Sequence, residues 1–273
     1  MRRSSGGLAV AAGLTTAALL AFVLLPVVAI FARTTPGALL AQVHSPAALR
    51  ALGVSLRTSS IALAAILAVG TPVAYVLAGA RSRAAGVVTT LLELPLVLPP
   101  AVAGIGLLAA FGRNGLLGGP LRAAGIELPF TQAAVVLALV FVAMPFHVRQ
   151  AFAAFRSVDP ELLAASRTLG AGPARTFVRV ALPLASPGLT AGAALAWARA
   201  LGEFGATLLF AGSFEGRTQT LPLAIYANLQ DFPVALAMAG MLVAVSAGLL
   251  VGVKLALRGG EPFEAPLAVA PAT

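Results

Sequence analysis

Polar residues interrupt this chain only at intervals. Apolar runs occupy about 8–32, 56–80, 86–110, 131–150, 186–212 and 233–257, with most arginines and acids gathered between them. A helix rises about 1.5 Å per residue, so roughly 20 apolar residues cross the hydrocarbon layer of a bilayer. Each run reaches that length. The pattern predicts an all-α fold, a polytopic membrane helix bundle of about six transmembrane helices. The first run follows Met1-Arg2-Arg3, which looks like the charged start of a signal peptide. It is longer than the about 7–15 residues of a signal peptide's apolar region, and no A-x-A cleavage site follows, so it reads as a retained anchor.

Composition agrees. The chain is 59% hydrophobic and 10% charged, with a mean hydropathy of +0.98, against about 25% charged residues in an ordinary soluble domain. The net charge of +9 is scattered rather than clustered, which argues for residues that orient helices in a bilayer and against nucleic-acid binding. With six spans both termini share a side. Arg2, Arg3, Arg81, Arg83, Arg149, Arg156, Arg167, Arg175, Arg179, Lys254 and Arg258 fall there, against Arg33, Arg50, Arg57, Arg113, Arg122 and Arg217 on the other. The positive-inside rule places both termini in the cytoplasm. The expected organisation is a short cytoplasmic tail over 1–7, a transmembrane domain over 8–258, and a disordered Pro/Ala/Glu-rich cytoplasmic tail over 259–273.

Several chemistries are excluded. There is no cysteine, so disulfides and thiolate metal sites are out. The single lysine, Lys254, sits in Gly-Val-Lys-Leu rather than a phosphate-binding loop, so this chain does not hydrolyse ATP. His44 and His147 stand far apart. No metal site, cofactor or catalytic residue is expected, and no metalloprotease or serine-hydrolase motif is present.

One connection on the terminal side is long, about 151–185. Asp159-Pro160-Glu161 has the form of a helix start, with an Asp cap, Pro at the first position and an acid in the positive first turn. Leu162 to Leu169 fits two turns, and Gly170 suits a left-handed stop. Gly172-Pro173 opens a second short helix running into Leu182-Pro183. Such a helix–turn–helix is either gripped by a partner or lies on the lipid surface with Arg167, Arg175 and Arg179 toward headgroups.

The run Ala164-Ala165-Ser166-Arg167-Thr168-Leu169-Gly170, nine residues, then Val180-Ala181-Leu182-Pro183 resembles the E-A-A signature of ABC importer permeases. The spacing is the same throughout. Ala164 stands where that family has Glu, Ser166 where it has the second Ala, and Val180 where it has Ile. Glu161 lies one helical turn before Ala164. The resemblance implies a coupling helix for a separate ATPase, carried by Asp159, Glu161, Ala164, Ala165, Ser166, Gly170, Leu182 and Pro183. Ala198-Arg199-Ala200-Leu201-Gly202-Glu203-Phe204-Gly205-Ala206-Thr207, Gly216-Arg217-Thr218-Gln219-Thr220-Leu221-Pro222 and Leu94-Pro95-Leu96-Val97-Leu98-Pro99-Pro100 look like the molybdate branch, with sulfate and tungstate permeases related. It implies a homodimer of permease chains in the bacterial inner membrane. Two ATPase subunits and a periplasmic or lipid-anchored oxyanion receptor would complete the assembly.

Within the spans, Arg199 and Glu203 are expected on one helical face, where each alone would cost about 2.5–3.5 kcal/mol at the bilayer centre. They fit a structural ion pair or a gate lining the path; a bare carboxylate would repel an oxyanion. Phe204, Gly205 and Thr207 accompany them. Pro95, Pro99 and Pro100 interrupt the third span, which suits either a gate facing a cavity or a packing kink. Gly188-x-x-x-Gly192 offers a smooth helix face. The outer arginines suit anion steering or headgroup anchoring. The competing reading is a secondary transporter, which would be expected to show inverted repeats and intramembrane acids.

Overall fold

Helix starts follow from local chemistry. Prolines open α2 (Pro36–Val43), α3 (Pro46–Gly79), α5 (Pro100–Phe111), α8 (Pro160–Thr168) and α9 (Pro173–Thr176), where their missing N–H and fixed φ suit the first turn. Thr35 and Ser82 cap α2 and α4 (Arg83–Val97) by accepting the backbone N–H of Ala38 and Ala85 at 3.2 Å each. The remaining elements are α1 (Ser4–Arg33), α6 (Gly118–Ala123), α7 (Gln132–Arg156), α10 (Leu182–Leu201), α11 (Gly205–Ala211), α12 (Leu221–Ala227) and α13 (Phe232–Arg258). The computed structural model describes residues 4–80 and 82–258. Met1-Arg2-Arg3, Arg81 and the tail 259–273 lie outside them. Among the described residues every regular element is helical.

Five helices are long and apolar enough to cross a membrane: α1, α3, α7, the stretch Pro173–Leu201 and α13. Two of the predicted spans differ from expectation. The third is broken into α4 and α5 with a bend of 114°. Leu98 and Pro99, each preceding a proline, are extended with ψ of 129° and 136°, because a following proline ring disfavours the helical region. The fifth was expected over 186–212; the helix instead begins at Pro173 and ends at Leu201. It passes through Leu182-Pro183 because Phe177–Ala181 forms a π turn, in which the Leu182 N–H donates to the Phe177 carbonyl five residues back. That widening relieves the clash a proline otherwise makes in a helix interior. At the N-terminus, α1 starts at Ser4, inside the stretch expected as a tail.

By packing, the described residues divide into one unit within 4–61, 99–139 and 201–247 and another within 62–80, 82–98, 140–200 and 248–258. In the first, Ala48 and Ala51 of α3 pack with Leu221 and Ala224 of α12 and Met238 and Met241 of α13. Ser55 of α3 accepts the Leu221 N–H at 2.7 Å, satisfying a donor that α12 leaves orphaned at its start. The α5 and α11 helices approach so closely that a Cβ on Gly104 would lie 2.9 Å from the Ala206 carbonyl oxygen.

In the second unit, Ala74 of α3, Val148, Ala151 and Phe155 of α7, and Ala181 and Ala185 form the core. The rings of Tyr75, Phe155 and Phe177 sit 4.8–6.1 Å apart. The Gly188–Gly192 face packs within this chain: a Cβ at Gly188 would stand 2.5 Å from the Ala154 Cβ, and one at Gly192 3.0 Å from the Gln150 Cβ. Small residues let α10 lie directly on α7. By contrast, the apolar face of α1 is uncovered, with Leu14, Phe22 and Leu25 all more than 60% exposed. Water would penalise that surface; hydrocarbon does not. Hydroxyls on such faces bond their own helix, as Thr15 does to the Ala11 carbonyl and Thr90 to that of Gly86, which is how polar groups are tolerated in lipid.

Candidate functional site

The segment after α7 is built by its own caps. Asp159 Oδ1 accepts the Glu161 N–H at 2.8 Å, and Pro160 occupies the first position of α8. Gly170 is left-handed at φ +82°. The Gly170 and Ala171 N–H groups donate back to the Arg167 and Ser166 carbonyls at 3.0 and 3.1 Å, the paired pattern that ends a helix on glycine. Gly172 and Pro173 then start α9. These elements lie where the residues predicted them.

Tertiary contacts fix the turn. Leu163 reaches into the core of Phe155, Val158 and Ala181, and Ser166 Oγ lies 3.1 Å from Oγ1 of the fully buried Thr176. Glu161, Ala164 and Ala165 are exposed on α8. Between α8 and the helix that begins at Pro173 lies an open surface groove of about 600 Å³ lined by Leu162, Ala165, Leu169, Pro183 and Leu184, with Arg175 and Arg179 among its walls. Sequence alone suggested a connection over 151–185. In the structure α7 continues to Arg156 and the next helix is already under way at Pro173, so Leu182 and Pro183 belong to a continuous helix that joins the turn directly to a long apolar stretch.

Most of the predicted path residues fall at the ends of helices. Pro100 heads α5 and Gly205 heads α11, and a Cβ on Gly205 would meet the Pro100 Cβ at 2.9 Å. Pro99 is exposed and its carbonyl accepts the Ala103 N–H at 3.0 Å. Arg199 lies in the last turn of α10, but that helix ends at Leu201 and Glu203 stands beyond it. The expected single helical face for Arg199 and Glu203 is therefore not formed; Gly202 and the following break interrupt it. Glu203 is 1% exposed, and its carboxylate accepts the Ala206 N–H at 2.7 Å. It thereby supplies an acceptor to a backbone donor that the first turn of α11 leaves unpaired. Thr207, also buried, donates to the Phe204 carbonyl at 2.8 Å, and the Phe204 ring packs on Tyr226 at 5.1 Å.

Three long-range contacts escaped sequence reading. Arg50 pairs with Glu215, tying the start of α3 to the 212–220 loop. Phe130, left-handed at φ +62°, stacks edge-on against Phe214 at 6.1 Å. Glu93 of α4 and Arg149 of α7 lie 3.9 Å apart beside a cavity of about 220 Å³. None is separated by a helical or strand period, so no local signal marks the partner. Fully buried His147 has its Nε2 2.9 Å from Thr71 Oγ1. Among the described residues, no group of three or more potential ligands could hold a metal ion. Near α5, the 112–130 loop encloses a cavity of about 660 Å³ that includes Arg113 and Arg122.

Residues 70–256 match the family described as "Binding-protein-dependent transport system inner membrane component". The molybdenum transport system permease protein ModB of Mycobacterium tuberculosis is 45% identical over 233 residues, covering 85% of this chain and 88% of that protein. ModB of Escherichia coli K12 is 41% identical over 66% of this chain and 80% of its own length. The probable transport system permease protein NifC of Clostridium pasteurianum is 42% identical over 75% and 72%. Among solved structures, a bacterial ABC transporter involved in import of the acidic polysaccharide alginate has a TM-score of 0.73 at 17% identity, covering 93% of this chain and 96% of that one. An inward-facing MetNI methionine ABC transporter has 0.64 at 19%, covering 78% and 95%. These two likenesses concern the fold.

Proposed function

This chain belongs to the family of binding-protein-dependent transport system inner membrane components, and from that premise we propose that it is the permease of an ATP-driven importer for molybdate. The observation that carries the substrate is the 45% identity to a molybdenum permease across 85% of the chain. The observation that supports the coupling role is the capped, core-anchored turn from Asp159 through Gly170 into the continuous helix reaching Leu201.

In this reading two copies form the path, with both termini in the cytoplasm. Two ATPase subunits grip Asp159, Glu161, Ala164, Ala165, Ser166 and Gly170, and the helix through Leu182 and Pro183 carries their movement into the bundle. A receptor outside delivers the oxyanion to the loops about 33–50, 111–130 and 213–232. ATP and loaded receptor together favour an outward-open state, and hydrolysis restores the inward one, a population shift between two packings. Pro99, Pro100, Arg199, Glu203, Phe204, Gly205 and Thr207 line or support the gate. The buried carboxylate of Glu203, engaged at the α11 start, acts as a support rather than an anion contact.

The test is cellular molybdenum uptake, measured by mass spectrometry at scarce molybdate with excess sulfate, in cells carrying this chain, its receptor and either active or inactive ATPase. Uptake that resists sulfate and vanishes with the ATPase is expected. Suppression by sulfate would reassign the substrate, and uptake that persists without the ATPase would refute the coupling role.

A further inference from the structure

The coupling turn is not only a protrusion. Beside α8 it carries the groove of about 600 Å³, a size that takes side chains of a partner rather than a few waters. The groove is held open by fixed parts: Leu163 in the core, the Ser166–Thr176 contact at 3.1 Å and the left-handed Gly170. Its apolar walls lack cover. Leu162 is 48%, Leu184 50% and Leu169 88% exposed.

Charge decides what fits. Arg175 and Arg179 are spaced by four residues, line the groove and are exposed. Among the described residues neither has a carboxylate within ion-pair distance. The two acids of this turn, Asp159 and Glu161, sit at the α8 start, and Asp159 is engaged in capping. Alanine at 164 leaves α8 with no acid beyond Glu161. A side chain entering this groove therefore meets apolar walls and uncompensated guanidinium groups, which favour a planar carboxylate bidentately.

We propose that the groove between α8 and the α9–α10 helix receives an apolar side chain flanked by one or more carboxylates of the ATPase subunit, so that at this interface the permease supplies the cations, through Arg175 and Arg179, and the ATPase the anions. This rests on the ATPase-docking reading above. A lipid surface is the other occupant that apolar and basic groups suit. Asp159 and Glu161 stand exposed at the head of the same turn, where an anionic lipid surface would repel them, which favours a protein occupant.

The experiment uses full-length permease in nanodiscs and its ATPase subunit as the probe, with binding measured by interferometry across a salt series. In discs of neutral phosphatidylcholine, R175E/R179E lowers affinity about tenfold or more, and R175Q/R179Q lowers it less and flattens its salt dependence. Reversing an acid on the ATPase surface to arginine restores binding to R175E/R179E, which a merely misfolded permease would not allow. Unchanged affinity and salt slope in neutral discs would overturn the proposal. So would an effect seen only in discs with anionic phosphatidylglycerol, which would assign the arginines to headgroups. Absence of any ATPase binding by the wild-type permease would instead overturn the docking reading itself.

Discussion

Gly188→Ala tests the seam that joins α10 to α7. The added Cβ would lie 2.5 Å from the Ala154 Cβ and 3.5 Å from its Cα, whereas carbon atoms rest at about 3.5–4.0 Å. The clashing Ala154 Cβ is fixed to the backbone, so no rotamer relieves it and the helices must part by roughly an ångström. Overpacking of this kind costs about 1–3 kcal/mol, set against the up to about 1 kcal/mol that Ala gains over Gly in a helix. The net expectation is a loss of about 1–2 kcal/mol, read as a lower midpoint in denaturing-detergent titration of the purified protein. Gly86→Ala and Gly248→Ala, where nothing lies within 4 Å of the new Cβ, gain the propensity term without the clash and keep or raise the midpoint. In the double variant with Ala154→Gly the facing Cβ is gone, and most of the loss is recovered as a coupling energy. A Gly188→Ala protein as stable as wild type, with no coupling to Ala154, would refute the close approach and the reasoning built on it.

Gly170→Val forces a β-branched residue to φ +82°, at about 1–2 kcal/mol or more. Insertion in the membrane should persist by fractionation while ATPase-dependent uptake is lost. Glu203→Ala removes the buried acceptor of the Ala206 N–H and should cost about 1–3 kcal/mol in the same detergent titration, whereas Glu203→Gln, which keeps an oxygen acceptor, should cost less. Ser55→Ala orphans the buried Leu221 N–H and should destabilise by a similar amount, with hydrogen exchange faster at the start of α12. Asp159→Ala removes the α8 cap and should lose about 0.5–2 kcal/mol of local stability, seen as faster exchange confined to 161–164.

The elements easiest to read in advance were those whose cause is local. Asp159-Pro160 begins α8 and Gly170 ends it in the structure, because caps are satisfied by atoms two to five residues away. Proline runs were harder. Leu98-Pro99-Pro100 breaks its span outright, while Leu182-Pro183 is absorbed by a π turn. The same residue type had opposite outcomes, since the register of the preceding turn decides whether the ring finds a carbonyl in its way. Arg199 and Glu203, four apart, were expected to share a face, but spacing holds only while the helix does, and it stops at Leu201.

By itself the sequence determined that this chain lives in a bilayer, roughly where it crosses, and that one turn between crossings is built to stand firm. Hydropathy acts additively along about 20 residues and capping acts within a turn, so neither needs the rest of the fold. Only the tertiary structure decided that Gly188 and Gly192 serve a seam inside the chain, that Glu203 leaves its helix to hold the next one, and that a groove opens beside α8. It also paired Ser55 with Leu221 and Arg50 with Glu215, across 166 and 165 residues. Those facts depend on which faces meet, and a face meets its partner through shape and satisfied polar groups that no periodicity along one chain encodes.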